Sequence, residues 1–525
     1  MNVFRHFAAV VIMCLCTCFC LRSQTAGPPF SISLEEITWS DWPALHSFAF
    51  GKWDGRWLIM SGRTGGLHGF LPPNPFPVTE ANNSIEMLDP VTGEQWSSGT
   101  LFLDDAIRDQ LRSTNTEFFQ RDQYLYIIGG YGKDTLAEKF ITFPSLIAVD
   151  LQILSDALIN ATSISGAFRQ ISDTLFCVTG GEVELLNDKI YLFGGHVFTG
   201  EYTKPASDAF IQTYTNELRK FVLDDDGVNI SVSDIEQIKD TANFHRRDLN
   251  FEPVIFPGEE FALGAFSGVF QYEADWVWFN PVYITDDNYD VDLSVTQKLN
   301  AYNCPVMSVY DSVSQNYYAT FFGGIAQFYH DEVNDTIKED LNVPFINDIS
   351  TIIKYADGTT EQFLEPVKFD ALLGSNAIFV LNEDIPQYEN KVIQLHRVDG
   401  DIMAGYIFGG IDAQVPNFTP SVASNRLFKV MINYENPLPI EEKIIGAIGI
   451  YPNPVDEEVI IKNGSINTIN SVEIINDLGV VILEQKLNLH HNNSSTINLS
   501  DVDSGFYFLK LNTSNGNEIL KMIKL

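Results

Sequence analysis

Cysteine is scarce where it would matter. Of six cysteines, Cys14, Cys16, Cys18 and Cys20 crowd the N-terminus, leaving only Cys177 and Cys304 downstream. A disulfide-stapled framework is therefore excluded, and two buried, unpaired thiols are the expectation. Basic residues are few as well: 32 Lys and Arg stand against 69 Asp and Glu, a formal net charge of −37. Such a field repels phosphate backbones and anionic lipid, so nucleic acid is not an expected partner. Nine histidines without a close pair at ligand spacing argue against a catalytic metal. No sustained helical heptad is present. The apolar run Phe7–Leu21 is too short for a comfortable membrane span, and no other stretch reaches spanning length.

What is there favours strands: 38 Phe, 20 Tyr and 36 Gly. Residues 1–26 read as a secretory signal peptide, with Arg5 before the apolar run and small residues at Ala26 and Gly27. Cys20 follows Thr17-Cys18-Phe19, a poor lipidation site. No membrane span is expected in the mature chain.

One pattern recurs, an apolar run closed by a glycine pair. It reads Tyr124–Gly130, Lys189–Gly195, Tyr318–Gly324 and Gly405–Gly410, with weaker copies at Trp57–Gly66 and Phe261–Gly268. A fully buried strand needs such a run, and its exit needs backbone angles that glycine adopts cheaply. An Asn precedes a further strand at Asn83, Asn216, Asn347 and Asn425. First strands are expected at Leu45–Phe50, Glu117–Phe119, Asp173–Thr179, Phe251–Phe256, Met307–Asp311 and Val392–Val398. Six units at intervals of roughly 55 to 85 residues mark a repeat array. Strand, glycine pair, loop, Asn and strand in that order resemble the kelch repeat over roughly residues 40–435, and the domain so implied spans residues 31–436. The fold implied is all-β, a six-bladed kelch-type β-propeller in which the strand Ser31–Ser40 closes the last blade. A small antiparallel β-sandwich then follows.

Residues 437–447, containing Pro437-Leu438-Pro439-Ile440, read as a linker, and 448–525 as a small domain of about seven short strands. Tyr451-Pro452-Asn453-Pro454 at its head, Asn476-Asp477-Leu478-Gly479, Ser504-Gly505-Phe506-Tyr507-Phe508 and the terminal Lys521–Leu525 make it similar to the sorting domain of the type IX secretion system. The resemblance implies export to the outer cell surface of a Gram-negative bacterium, or release, with the secretion machinery as partner.

First-to-second connections are tight, whereas those after the glycine pairs are long and carry His, Pro and aromatics. Long loops on a rigid scaffold are uncommon unless functional. Arg63, His68, Phe70, His196, Tyr202, Phe328 and His330 are the candidate ligand-binding residues, forming an aromatic and imidazole cup for a protein or glycan ligand. No catalytic residue, metal or cofactor is assigned, and a monomer is expected. The alternative is a carbohydrate-active enzyme, epimerase- or lyase-like, drawing on Arg63, Arg247 and Arg397 with Glu201. A structural Ca²⁺ is the one ion that Asp224-Asp225-Asp226 and Asp286–Asp292 suggest.

Overall fold

The computed structural model describes residues 27–69, 75–202, 210–272, 274–417, 420–435, 448–463, 467–476, 479–491, 493–514 and 516–525. The chain divides into two compact units, one up to Glu435 and one from Asn436. The expected signal peptide and linker lie outside the described residues.

The first unit consists of antiparallel sheets laid down in chain order, with two short helices, Asp105–Leu111 and Leu151–Ile159, inserted at the second. The first sheet runs Ala49–Trp53, Arg56–Met60, Ser84–Leu88, Gln95–Gly99, and the second Glu117–Arg121, Tyr124–Ile128, Ser145–Asp150, Phe168–Ser172. The third is built on Thr179–Leu186, Lys189–Gly200, Glu217–Asp225 and Ile230–Lys239, and the fourth on Asn250–Phe256, Glu260–Phe266, Val282–Ile284 and Tyr289–Val291. Val306–Asp311, Asn316–Ile325, Phe345–Lys354 and Thr360–Lys368 make the fifth. The sixth joins Ala377–Leu381, Gly400–Gly409 and Leu427–Tyr434 to the N-terminal strand Ser31–Ile37, which pairs from Ser31–Asn433 to Ile37–Leu427.

Both faces of each second strand are buried, as their unbroken apolar runs require. Separate apolar cores join the first sheet to the second, the second to the third, and so on to the fifth and sixth. A further core, containing Trp57, Phe48, Phe408 and Leu427, joins the sixth back to the first. The glycine pairs act at these seams. Both members have positive φ, and the second donates its N–H to the next sheet's leading segment: Gly130 to Val178 O (2.9 Å), Gly324 to Leu373 O (2.9 Å) and Gly410 to Leu45 O (2.9 Å). A Cβ on Gly129 would stand 2.0 Å from Val178 O.

Three sequence expectations need correction. In the first sheet the pair is Ser61-Gly62 (φ 63° and 84°), not Gly65-Gly66, and Ser267-Gly268 is its counterpart in the fourth sheet. The third sheet begins at Thr179–Leu186; Asp173–Thr179 instead holds the 3₁₀ turn Thr174–Phe176, whose leading N–H at Leu175 is capped by Asp173. The sixth begins at Ala377–Leu381, while Ile393–Gln394 joins the edge of the fifth sheet in parallel. The long connections are largely β-ribbons: Tyr131–Asp134 with Lys139–Thr142, the end of Lys189–Gly200 with Phe210–Tyr214, Phe328–Asp331 with Thr336–Glu339, and Ile411–Ala413 with Ser421–Ala423.

The second unit has a three-stranded sheet (Ile448–Tyr451, Glu458–Asn463, Ser494–Asn498) and a four-stranded one (Val481–Leu489, Ile469–Asn476, Gly505–Thr513, Gly516–Lys524). Val459, Ile461, Val472, Leu509 and Met522 fill a core common to both. Asn453 links the two ends of the unit, its side chain donating to Lys521 O (2.9 Å) and accepting from Ile523 N (2.9 Å).

Candidate binding site

Six residues at or just before the first strands share one backbone state: Ser47, Asn115, Gly180, Asp248, Asn303 and Asn376 have φ between 44° and 64°. Asn, Asp and Gly tolerate this left-handed region best. Backbone bonds tie them into two arcs. Gly180 N donates to Asn115 O (3.1 Å) and Asp248 N to Gly180 O (2.7 Å); Asn376 N donates to Asn303 O (2.7 Å) and Ser47 N to Asn376 O (3.3 Å). Side chains reinforce them, Asn115 Nδ2 donating to Asp248 Oδ1 (3.0 Å) and Asn376 Nδ2 to Ser47 Oγ (2.8 Å). Two cavities border these residues, of about 560 Å³ and 340 Å³.

First strands of all six sheets line the larger cavity. Its walls carry Glu182, Glu184 and Glu252. Burial raises Glu184 to about 7 against the pull of Lys391, and burial with repulsion from neighbouring carboxylates raises Glu182 and Glu252 well above the usual carboxylate range. This interior disfavours an anion.

The smaller cavity is lined by the segments just ahead of the first strands together with residues that follow the glycine pairs or belong to the long connections of five sheets, and it has a different character. In each of four sheets, the residue before the left-handed position pairs with the one after the glycine pair, as in His46 with Arg63 and Arg247 with Val269. That register brings side chains of both segments to one place. Arg63 is 3% exposed; its Nη2 donates to Glu80 Oε2 (2.8 Å) and Pro77 O (3.3 Å), and the guanidinium lies 3.8 Å over the Phe76 ring. Its Nε has no hydrogen-bond partner. Arg247, 9% exposed, donates from Nη2 to Tyr202 Oη (3.3 Å), and its Nε, 3.7 Å from the Asp248 carboxylate, makes no hydrogen bond. Between the guanidiniums runs an aromatic wall. His68 lies 5.8 Å from the Phe76 ring and 4.6 Å from that of Tyr202.

Burial dominates the electrostatics. It holds the His46 imidazole down at about 3, with Arg63 adding to the shift, so His46 is neutral. Asp248 is raised by burial, opposed by Arg247 and the Asn115 amide. The Tyr302 phenol is raised by burial and by Asp248.

Of the residues proposed from sequence, Arg63, His68 and Tyr202 meet in this cavity, as does Arg247, named for the enzymatic alternative; Glu201 does not line it. His196 does not line it. It is buried behind, 5.8 Å from the rings of Phe198 and Tyr214, its pKa pushed far down by burial and by Arg247. Phe328 and His330 lie on their own ribbon, Phe328 against Phe279 (6.0 Å) and His330 Nε2 beside Asp335 (3.0 Å). Phe70 lies outside the described residues. Arg397 contacts Gln394 in an exposed turn and takes no part. Sequence reasoning missed His46, Phe76, Asp248 and Tyr302; for all but Phe76, the Asn, Asp or Ser that recurs ahead of the first strands of five sheets, with Gly180 in the third, was the available signal.

Among the described residues no group of three or more His, Cys, Asp or Glu is placed to hold a metal ion. Within the acidic clusters, Asp225 is taken by Arg169 (2.5 and 2.8 Å) and Tyr126 (2.9 Å), and Asp292 by Thr360 (2.8 Å) and Lys354 (3.2 Å). Both Cys177 and Cys304 are free thiols, Cys304 buried and Cys177 half-buried.

Residues 449–525 match the family model of the secretion system C-terminal sorting domain. The second unit is therefore a type IX sorting domain, and the protein is secreted or attached to the outer cell surface through the secretion machinery. No curated protein matches the chain. No family match supports the kelch resemblance of the repeats. Among the described residues no helix is long and apolar enough to cross a membrane.

Proposed function

We propose that the first unit is a six-bladed β-propeller of kelch-like build, and that it serves outside the cell as a binding module for a glycan or protein ligand. The cores joining neighbouring sheets, including the sixth to the first, support a closed circle of blades. So does the N-terminal strand on the sixth sheet, which covers an edge that would otherwise invite association.

One observation carries the binding reading: Arg63, His68, Tyr202 and Arg247, from three different sheets, converge on one 340 Å³ cavity. Its size falls at the small end of the ~300–1,000 Å³ range of ligand pockets, and its aromatic wall stands beside convergent polar and charged groups that could orient a ligand. Screening the full-length protein on glycan and peptide arrays tests this. A His68→Ala/Tyr202→Ala variant should lose the hits, and a Phe328→Ala/His330→Ala variant should keep them. Retention of every hit by the first variant refutes the assignment of this cavity.

A second reading, acid–base chemistry on a bound sugar, draws on the same cavity, where Tyr202 Oη lies 3.3 Å from Arg247 and beside the His68 ring. Mass spectrometry of array hits incubated with the protein separates the two: unchanged ligands mean binding alone.

A further inference from the structure

The two guanidiniums of the smaller cavity have more hydrogen-bonding capacity than the protein uses. Arg63 and Arg247 are both more than nine-tenths buried, both line the cavity, and each leaves a buried Nε without an acceptor. A buried donor left unmade costs about 1–3 kcal/mol, and more when charged. Such a donor persists where a ligand supplies the acceptor. The carboxylates nearby are partly occupied. Glu80 takes Nη2 of Arg63, and Asp248 accepts from Asn115. Asp275 stands exposed at the cavity's edge. His46 and His68, the imidazoles of the cavity, flank Arg63, and burial keeps His46 neutral. In a chain of net charge −37 this cavity gathers two arginines, while its larger neighbour gathers carboxylates.

Resting on the proposal that this cavity binds a ligand, we infer that the ligand is an acidic sugar residue, a sugar ring bearing one carboxylate or sulfate. The oxyanion accepts from Arg247 and Arg63, in the charge-assisted geometry for which guanidinium is suited. The ring lies against the wall of Phe76, His68 and Tyr202. Ring hydroxyls meet the polar floor, where Asn115, Asn303 and Asn376 border the same space. A small chamber of 340 Å³ suits one or two sugar rings better than the extended backbone of a peptide.

Calorimetric titration of the full-length protein with oligogalacturonate, a sulfated galacto-oligosaccharide and their neutral counterpart tests the inference and separates carboxylate from sulfate. At least one acidic probe should bind about tenfold or more tighter than the neutral one, the difference expected of one charge-assisted contact. Its affinity should fall with added salt while that of the neutral probe holds. Arg247→Gln, with its circular dichroism unchanged, should bring acidic and neutral probes to parity. Equal binding of acidic and neutral sugars overturns the acidic specificity and leaves the binding site standing; so does capture of acidic peptides in place of sugars. An acidic preference insensitive to salt overturns it even if Arg247→Gln fails to fold. Binding of no sugar and no peptide removes the site itself.

Discussion

Gly129 has φ 60°, and a Cβ there would press within 2.0 Å of Val178 O on the neighbouring sheet, whereas Gly258 has φ 84° with nothing within 4 Å. Both substitutions to Ala incur left-handed strain of roughly 1–2 kcal/mol. Only Gly129→Ala adds the overlap, so its loss should reach about 2–5 kcal/mol in urea unfolding against about 1–2 for Gly258→Ala. Equal losses would show that the seam is not tightly closed. Glu117 makes a different case. It is fully buried, its Oε1 accepts from Gly181 N (2.8 Å), its Oε2 has no partner, and burial raises its pKa from the usual 4.5 to about 8. A pKa raised in the folded state means that this group's contribution is full below about pH 4.5 and is lost as pH rises toward 8. Glu117→Gln should therefore be near neutral at pH 4.5 and more stable than the parent chain by on the order of 2–4 kcal/mol at pH 8.5. Thermal unfolding at the two pH values checks this; the same difference at both would mean that Glu117 is ionised in the fold. His46 works in the opposite direction. Its pKa is lowered from 6.5 to about 3, so stability falls as pH drops below about 6.5, where the unfolded chain takes up a proton that the folded chain refuses.

The strand Ser31–Ile37 is the element on which the sixth sheet depends. Its Ile32 and the preceding Phe30 enter the core between the fifth and sixth sheets, and Glu36 accepts from Nε and Nη2 of Arg426 (2.7 and 2.8 Å). Removing residues 27–38 exposes the edge of Leu427–Tyr434 and forfeits about 3–6 kcal/mol of apolar burial. A lower melting temperature and self-association in size-exclusion chromatography are the expected outcome; a monomer of unchanged stability would deny that strand its role. This element was legible in advance because Ile32 and Leu34 alternate with polar residues and the last repeat was one strand short. The glycine-paired strands were legible too, since a run such as Tyr124–Ile128, buried from Leu125 to Ile128, has no polar face to misassign. Outer elements were not. Asp173–Thr179 looks like a strand by composition, yet Asp173 caps the 3₁₀ turn at Thr174–Phe176, a local hydrogen bond that outweighs β-propensity. At the cavity, Arg63, His68 and Tyr202 could be named because they follow glycine pairs. Their partners His46 and Tyr302 sit across bridges to Arg63 and Ile325, and only the register between strands reveals such neighbours. Phe328 and His330 were named on the same grounds but fold back on their own ribbon, which loop length alone does not disclose.

At the scale of the whole molecule, two compact units, each with its own core packing, divide the labour. Ile461, Val472 and Leu509 pack within the C-terminal unit, while the sheets of the first unit are joined by cores of their own. Each unit is thus expected to fold without the other, and the sorting function belongs to residues 449–525. A chain ended after Glu435 should then keep the thermal stability of the first unit yet fail to reach the surface or the medium, accumulating inside the outer membrane. Residues 436–525 placed behind the signal peptide and an inert reporter should carry that reporter out. Surface proteolysis and immunoblotting of cell fractions read both outcomes. Within the C-terminal unit the test can be sharpened at Asn453, whose side chain fastens the head of the domain to the last strand through Lys521 and Ile523. Asn453→Ala removes both bonds and should loosen that strand by about 1–3 kcal/mol. If the exporter reads the ends of the domain as one folded surface, this variant is retained in the cell in proportion to that loss; if it reads the terminal residues as an extended tag, export is unchanged.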